Sequence, residues 1–302
     1  MQRYTLPGLA VIAMIENVFL PLALAFIMFS LGLALRPGDF RVALYGWRGI
    51  AMGLCGQVLL LPLLAFLIGV ALDLSPTAQL GLMLIAACPG GVSSAFLTHL
   101  ARGNIALSLI LTVTSSLLAL ITLPLIINAV VAGQSTDLQL LHTADLPLGK
   151  LLGGLLLVTT LPILLGMFLR LGTRWVSERG EQVVGKLATL FFMAIVLVTF
   201  VAHRETITTG FPEIGMATLL LNALSLCGGV LLARLAQLGR RESIAIAMEC
   251  GLQNAGLGIF IALTLFQQPA LAIPSVVYAL TMNFGAIAFL WIVRRQAARM
   301  FA

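Results

Sequence analysis

Long apolar segments alternate with short polar ones along the whole chain. A bilayer core about 30 Å thick requires about 20 apolar residues in a helix that crosses it. Segments of that kind occur at roughly 11–35, 45–71, 77–100, 105–132, 147–169, 185–203, 214–237, 243–266 and 270–293. The pattern therefore predicts an all-α polytopic membrane protein with about nine transmembrane helices, forming a single transmembrane domain over residues 1–302.

Composition agrees with this prediction. Sixty per cent of the residues are apolar and 9% are charged, whereas a soluble domain carries about 25% charged residues. The lipid bilayer is therefore the expected surrounding, and no obligate protein partner is inferred. The basic residues are scattered between apolar segments, so nucleic acid is not an expected partner. The longest polar connection, about 133–146, is too short to form a domain core, which excludes an enzyme with a soluble catalytic domain.

Positive charge is distributed unequally between the two sides of such a protein. With nine spans, 14 of the 17 Lys and Arg residues fall on one side. The other side holds only Arg3, Lys150 and Arg204. Because positively charged loops remain in the cytoplasm, we expect a cytoplasmic C-terminus and an N-terminus outside.

Two of the predicted spans are interrupted near their centres. One contains Pro89, Gly90 and Gly91, and the other contains the segment GLQNAG at 251–256. Proline removes a helix donor and glycine tolerates non-helical backbone, so a single interruption can be an ordinary packing kink. The pair is more specific, because its members are the third and eighth spans, five steps apart, and therefore run in opposite directions. This predicts an inverted repeat, with half-repeats at about 11–132 and 147–297, whose discontinuous helices cross at the membrane midplane.

Glu249 is an acidic residue well inside a predicted span. At 1.5 Å per residue it lies roughly 9 Å in from Ser243. An ionised carboxylate there costs about 2.5–3.5 kcal/mol, so it needs a partner, and Lys and Arg are absent from the middle of the predicted spans. A bound cation or a proton is the expected partner, and a neutral, hydrogen-bonded Glu249 is the structural alternative.

Neutral oxygen-bearing side chains accompany Glu249 at similar depth. They are Gln57, Ser94, Ser108, Thr112 and Gln253. Amide, hydroxyl and carbonyl oxygens with one carboxylate suit a monovalent hard cation. Each Ser or Thr alone can instead bond back to its own helix. The four cysteines lack metal-ligand spacing, so neither a disulfide nor a zinc site is predicted.

Three motifs carry a family resemblance. They are FIMFSLGLALRPGDF (26–40), ACPGGVSSAFLTHLARGN (87–104) and MECGLQNAGLG (248–258), and the likeness continues through Pro274 and Asn283. Together they resemble the bile acid:sodium symporter family and its bacterial members. The resemblance implies a core domain, built around two crossing broken helices, that moves against a panel domain in the bacterial inner membrane.

The resemblance also implies two sodium sites behind the crossing. The second site would use side chains and two backbone carbonyls, from Gln57, Glu249, Cys250, Leu252 and Gln253. The first site would use Ser94, Ser108, Thr112 and Glu249. The chain departs from the family at Ala95, where relatives have Asn. Loss of that amide oxygen predicts a first site that is absent, weak or completed by water.

The substrate crevice is a further implication of the resemblance. It would involve Asn254 and Asn283, and the neighbouring Met282 replaces a residue that is often His in relatives. The N-termini of the two inner half-helices, near Gly91, Val92 and Ser93 and near Asn254, would favour an anion.

The leading hypothesis is a secondary active transporter that couples sodium to symport of a small organic anion by alternating access. The anion would be bile-acid-like, a keto acid or pantoate-like, and sodium would be co-transported with no organic cofactor. The alternative is a proton-coupled or uncoupled transporter or exporter of the same fold, which Ala95 leaves open. A membrane sensor or intramembrane enzyme is more remote, because the predicted spans carry no Ser–His or paired-Asp arrangement at their centres.

Overall fold

The computed structural model describes residues 14–36, 38, 46–133, 148–172, 178–202 and 204–300. Within these ranges every regular element is a helix. The connection predicted at about 133–146 lies almost wholly outside the described residues. The all-α polytopic architecture expected from the apolar pattern is confirmed.

The helices follow the predicted apolar segments. The first half of the chain contains α1 (Leu20–Ala34), α2 (Trp47–Cys55), α3 (Leu61–Ala71), α4 (Pro76–Ala87), α5 (Ser93–Leu100) and α6 (Ile105–Gly133). The second half contains α7 (Leu148–Leu155), α8 (Leu161–Gly172), α9 (Glu178–Ala202), α10 (Arg204–Leu235), α11 (Arg240–Gly251), α12 (Ala255–Phe260) and α13 (Pro269–Met300). When the π-helical segments that extend or join these helices are included, seven helices in the described chain are long and apolar enough to cross a membrane. The two remaining predicted spans are the broken pairs α4–α5 and α11–α12.

Four π-helical segments extend or join these helices: Ile15–Phe19, Gly56–Leu60, Leu156–Thr160 and Ile261–Leu265. The first three are each followed directly by a Leu-Pro dipeptide. Proline has no N–H and its ring clashes with the carbonyl four residues back, and a widened turn relieves that clash. The turn Gly56–Leu60 carries Gln57, so this local feature sits at the predicted ion site.

The helices pack in two groups. In one group α8 and α9 pack against α1. In the other, α10 packs against α11 and α13, and α4 and α6 join them around the broken spans. The groups meet where Phe192 of α9 lies against Gly256 of α12. The division into half-repeats at 11–132 and 147–297 stays a prediction.

The basic connections meet on one face of the molecule. Arg294 donates from Nε and Nη2 to the Leu100 carbonyl at 3.2 and 2.9 Å, and Arg240 donates to the Val293 carbonyl at 2.6 Å. The Asn104 N–H donates to the Arg241 carbonyl at 2.9 Å. Three of the basic connections therefore lie close together, and the orientation of the termini stays a prediction.

Three helices are longer than predicted. α9 begins at Glu178 rather than near 185, α10 begins at Arg204 rather than near 214, and α13 continues to Met300 rather than ending near 293. Thr208 and Thr209 hydroxyls donate to the Glu205 carbonyl. Polar residues in this first part of α10 therefore support a helix that an apolar pattern does not detect.

Candidate cation and anion site

The two broken spans are joined at their breaks. The Gly91 N–H donates to the Leu252 carbonyl at 2.7 Å, and the Asn254 N–H donates to the Pro89 carbonyl at 2.9 Å. Gly90 and Gln253 form the centre of this antiparallel pairing. Backbone groups freed by the breaks are therefore satisfied by protein, as an apolar surrounding requires.

Glycine is required at the first break by close approach. A Cβ on Gly91 would lie 2.8 Å from the Gln253 carbonyl oxygen. A Cβ on Gly90 would overlap Glu249 Oε1 and lie 2.6 Å from Glu249 Cδ. The Pro-Gly-Gly segment thus lets one break lie directly on the other and on the buried carboxylate.

The Glu249 side chain is completely buried and is surrounded by three hydroxyl donors, here called the hydroxyl cluster: Ser94, Ser108 and Thr112. Ser94 and Ser108 donate to Glu249 Oε2 at 2.6 and 3.0 Å. Thr112 donates to Oε1 at 2.7 Å. All three hydroxyls are fully buried, so α5, α6 and α11 meet at one carboxylate.

Two glutamines, here called the amide pair, approach the same helix end from its backbone side. Gln57 Nε2 donates to the Glu249 carbonyl at 2.7 Å. Gln253 Nε2 donates to the Cys250 carbonyl at 2.9 Å and lies 3.4 Å from the Glu249 carbonyl. Both side-chain oxygens, Gln57 Oε1 and Gln253 Oε1, are buried and have no hydrogen-bond partner among the described residues.

The sequence-predicted ion ligands therefore converge on Glu249 in two groups. Ser94, Ser108 and Thr112 lie at the carboxylate, and Gln57 and Gln253 lie at the carbonyls of the last turn of α11. Of the two predicted carbonyl ligands, that of Cys250 accepts from Gln253 and that of Leu252 accepts from Gly91. Ala95 is almost fully buried directly after Ser94. The assignment of either group to sodium stays a prediction.

Asn254 begins the second inner half-helix. Its Oδ1 accepts from the Leu257 N–H at 3.1 Å, which caps α12. Its Nδ2 is buried, with no acceptor in the described part of the chain. The first inner half-helix begins at Ser93, and both Val92 and Ser93 are half-buried beside Gly91. A capped helix N-terminus with a spare amide donor is suited to an anionic group.

Asn283 behaves differently from Asn254. It is exposed on α13 and donates to the Ala279 carbonyl of its own helix at 2.6 Å. Its neighbour Met282 is buried. A role for Asn283 in the crevice stays a prediction.

Two polar residues at the second break were not predicted from the sequence. Asn222 of α10 and Tyr278 of α13 both donate to the Gly251 carbonyl, at 2.7 and 3.0 Å. Asn222, like Gln57, is an amide within an apolar span, so the criterion that identified Gln57 could also have identified Asn222. Tyr278 gave no such signal, because tyrosine is common in apolar segments.

Comparisons with known proteins agree with the motif resemblance. A profile of the Sodium Bile acid symporter family matches residues 21–210. The chain is 29% identical over 269 residues to an uncharacterized sodium-dependent transporter, YocS, of Bacillus subtilis (strain 168), covering 88% of this chain and 80% of the relative. It is 28% identical over 284 residues to a probable sodium/metabolite cotransporter, BASS2, of Oryza sativa subsp. japonica, covering 93% of this chain and 66% of the relative.

A human relative extends the comparison. The chain is 25% identical over 249 residues to the ileal sodium/bile acid cotransporter of Homo sapiens, covering 82% of this chain and 69% of the relative. The family resemblance drawn from the three motifs is confirmed. Because the family profile matches more than half of its residues, the chain belongs to the sodium bile acid symporter family.

Proposed function

We propose that this protein is a secondary active transporter that couples sodium to the uptake of a small organic anion by alternating access. Family membership and the names of its relatives, which include sodium-dependent transporters and cotransporters, support transport rather than catalysis. The observation that carries the proposal is the amide pair: two buried amide oxygens with no donor among the described residues, on side chains that contact the backbone carbonyls of Glu249 and Cys250.

The amide pair supplies what a desolvated sodium ion needs. A buried amide oxygen left without a donor is costly, and a cation removes that cost. Glu249 Oε1 accepts one hydroxyl hydrogen bond while Oε2 accepts two, so Oε1 retains a lone pair for an ion. Gln57, Gln253 and Glu249, with the Cys250 and Leu252 carbonyls, form the proposed ion site.

The hydroxyl cluster has a different role in this proposal. Its three hydroxyls donate to Glu249 and so stabilise the carboxylate whether or not an ion is bound. With Ala95 in place of an amide-bearing residue, the cluster offers hydroxyl oxygens alone beyond Glu249. We therefore assign one sodium ion per transport cycle, bound at the amide pair.

The anion would bind at the N-termini of α5 and α12. Asn254 Nδ2, which has no acceptor among the described residues, and the dipole of α12 favour a carboxylate or sulfonate. Asn254 is adjacent to Gln253, so occupation of the cation site fixes the segment that holds the anion. Such linkage makes binding of each substrate promote binding of the other.

The candidate substrates are small organic anions: bile-acid-like molecules, keto acids and pantoate-like hydroxy acids. In the proposed cycle the core helices around the two breaks move against α1 and α7–α9, which form the panel. The basic face carrying Arg240, Arg241 and Arg294 would lie in the cytoplasm of a bacterial cell, with the N-terminus outside.

Ligand-induced thermal stabilisation of the purified protein tests the proposal. Sodium and potassium would be exchanged at constant ionic strength, with a panel of keto acids, hydroxy acids and bile acids, on wild type and Glu249→Gln. The proposal requires a sodium-dependent shift, increased by at least one anion, that the variant loses. A shift that ignores sodium and follows pH would replace sodium coupling with proton coupling.

A further inference from the structure

The end of α11 has an unusual set of carbonyl partners. The Met248 carbonyl accepts from the Leu252 N–H at 3.0 Å, as expected for a helix end. The next four carbonyls accept from groups beyond α11: Glu249 from Gln57 and more weakly Gln253, Cys250 from Gln253, Gly251 from two side chains, and Leu252 from Gly91. Gly251 alone among these receives two donors from two other helices.

The two donors to Gly251 are firmly enclosed. Tyr278 is completely buried and Asn222 is 2% exposed. A Cβ on Gly285 of α13 would overlap Asn222 Oδ1 and lie 2.9 Å from Asn222 Cγ. The Asn222 amide therefore occupies a gap in α13 that exists because residue 285 is glycine.

Gly251 needs such support because of its position. A Cβ there would lie 2.5 Å from Leu226 Cδ2 of α10, so close packing favours glycine. Glycine restrains its own φ and ψ less than any other residue. Gly251 lies between the carbonyls of Cys250 and Leu252, so its φ and ψ set the directions of these two carbonyls relative to each other.

We propose that Asn222 and Tyr278 are positioning residues for the cation site. By holding the Gly251 carbonyl from two sides, they fix the directions of the Cys250 and Leu252 carbonyls that we assign to sodium. Neither side chain touches the ion in this scheme. The inference rests on the proposed function, because it explains how that site is kept in shape before the ion arrives.

A pair of variants separates positioning from general stability. Tyr278→Phe deletes one buried hydroxyl that donates to Gly251. Thr218→Val is the matched control, since Thr218 of α10 is equally buried and donates only to the Ile214 and Gly215 carbonyls of its own helix. The measurement is the sodium concentration for half-maximal thermal stabilisation, with the melting temperature in potassium as the structural readout.

Tyr278→Phe should raise the half-maximal sodium concentration about three- to tenfold, the equivalent of one lost hydrogen bond. Thr218→Val should lower the melting temperature in potassium about as much as Tyr278→Phe does. It should leave the half-maximal sodium concentration unchanged. Equal sodium dependence in Tyr278→Phe and wild type would overturn the positioning role.

Gly285→Ala provides a second route if Tyr278→Phe does not fold. It displaces the Asn222 amide without removing a polar group, and it should also raise the half-maximal sodium concentration. An unchanged value would overturn the inference. The wild-type protein tests the proposed function itself. If sodium does not stabilise the wild type, both the proposed function and the positioning role are refuted. If sodium stabilises the wild type and the variants equally, only the positioning role is refuted.

Discussion

The hydroxyl cluster and the amide pair lie on either side of the same residue and differ in one respect. At the hydroxyl cluster, Ser94, Ser108 and Thr112 all donate to the Glu249 carboxylate. At the amide pair, each glutamine uses its nitrogen on a backbone carbonyl and leaves its oxygen without a donor in the described structure. The carboxylate of Glu249 is satisfied by protein, whereas the amide pair holds two oxygens with no donor among the described residues.

This difference indicates how a buried charge can be both stable and available. Hydrogen bonds to an ionised group are worth about 1.5–3 kcal/mol each, so the hydroxyl cluster lowers the cost of keeping Glu249 charged. The amide pair then adds two oxygens that, in the proposed site, coordinate the cation. Residues chosen by the same criterion, polar atoms inside apolar spans, thus divide into a group that donates to the carboxylate and a group that we propose binds the ion.

Glu249→Gln should have the largest effect, because the carboxylate belongs to both groups. Two unit charges in contact attract by several kcal/mol even at an effective dielectric near 20, so sodium affinity should fall by about 100-fold or more. Sodium titration by thermal stabilisation measures this. Glu205→Gln, which changes an exposed carboxylate on α10, is the control, and a Glu249→Gln titration that matches it would refute the shared role.

Gln57→Leu and Gln253→Leu should each raise the half-maximal sodium concentration about tenfold. Each removes one neutral oxygen ligand, worth about 1–2 kcal/mol, and leaves the carboxylate in place. Sodium-dependent transport in proteoliposomes gives the value, with the exposed Gln296→Leu as control. Unchanged sodium dependence in both variants would mean that the amide pair is not the ion site.

Thr112→Val should affect stability more than sodium binding. It removes one donor to the carboxylate and costs about 1.5–3 kcal/mol of unfolding free energy, but should shift the half-maximal sodium concentration by less than about threefold, because the amide pair is intact. Ser116→Ala is the control, since this buried hydroxyl donates to the Thr112 carbonyl of its own helix. If Thr112→Val raised the half-maximal sodium concentration as much as Gln253→Leu does, the distinction between the two groups would be refuted.

Ala95→Asn should have the smallest effect on affinity and the most specific effect on cooperativity. An amide beside Ser94 would give the hydroxyl cluster a neutral oxygen and create a second cation site. The Hill slope for sodium should rise from about 1 toward about 2. Ala95→Leu adds similar bulk without an oxygen and is the control. A Hill slope that is unchanged in Ala95→Asn, or that rises equally in Ala95→Leu, would contradict this interpretation.

Most of the architecture could be predicted from the sequence because the bilayer constrains it strongly. Apolar length located the spans, and Pro89 with its two glycines and the segment around Gly251 located both breaks. Helix ends were less accurate: α10 begins about ten residues before the apolar segment. Its first turns are polar, and hydropathy does not distinguish a polar helix from a loop.

The site was predicted in part, for a related reason. Glu249 and its oxygen-bearing neighbours stand out in apolar segments, so Ser94, Thr112 and Gln253 could be named. Their division into two groups depends on which atom donates to which, and that requires coordinates. Tyr278 could not have been found from the sequence, because its role depends on one hydroxyl meeting a carbonyl 27 residues away in the chain.

Direct counting of bound sodium tests the central claim. Equilibrium binding of radioactive sodium to the purified protein should give one ion per chain in wild type. At the sodium concentration that half-saturates wild type, occupancy should stay near the wild-type value in Thr112→Val and fall to about a tenth in Gln253→Leu. Two ions per chain, or an ion retained by Gln253→Leu and lost from Thr112→Val, would contradict the assignment of the cation to the amide pair.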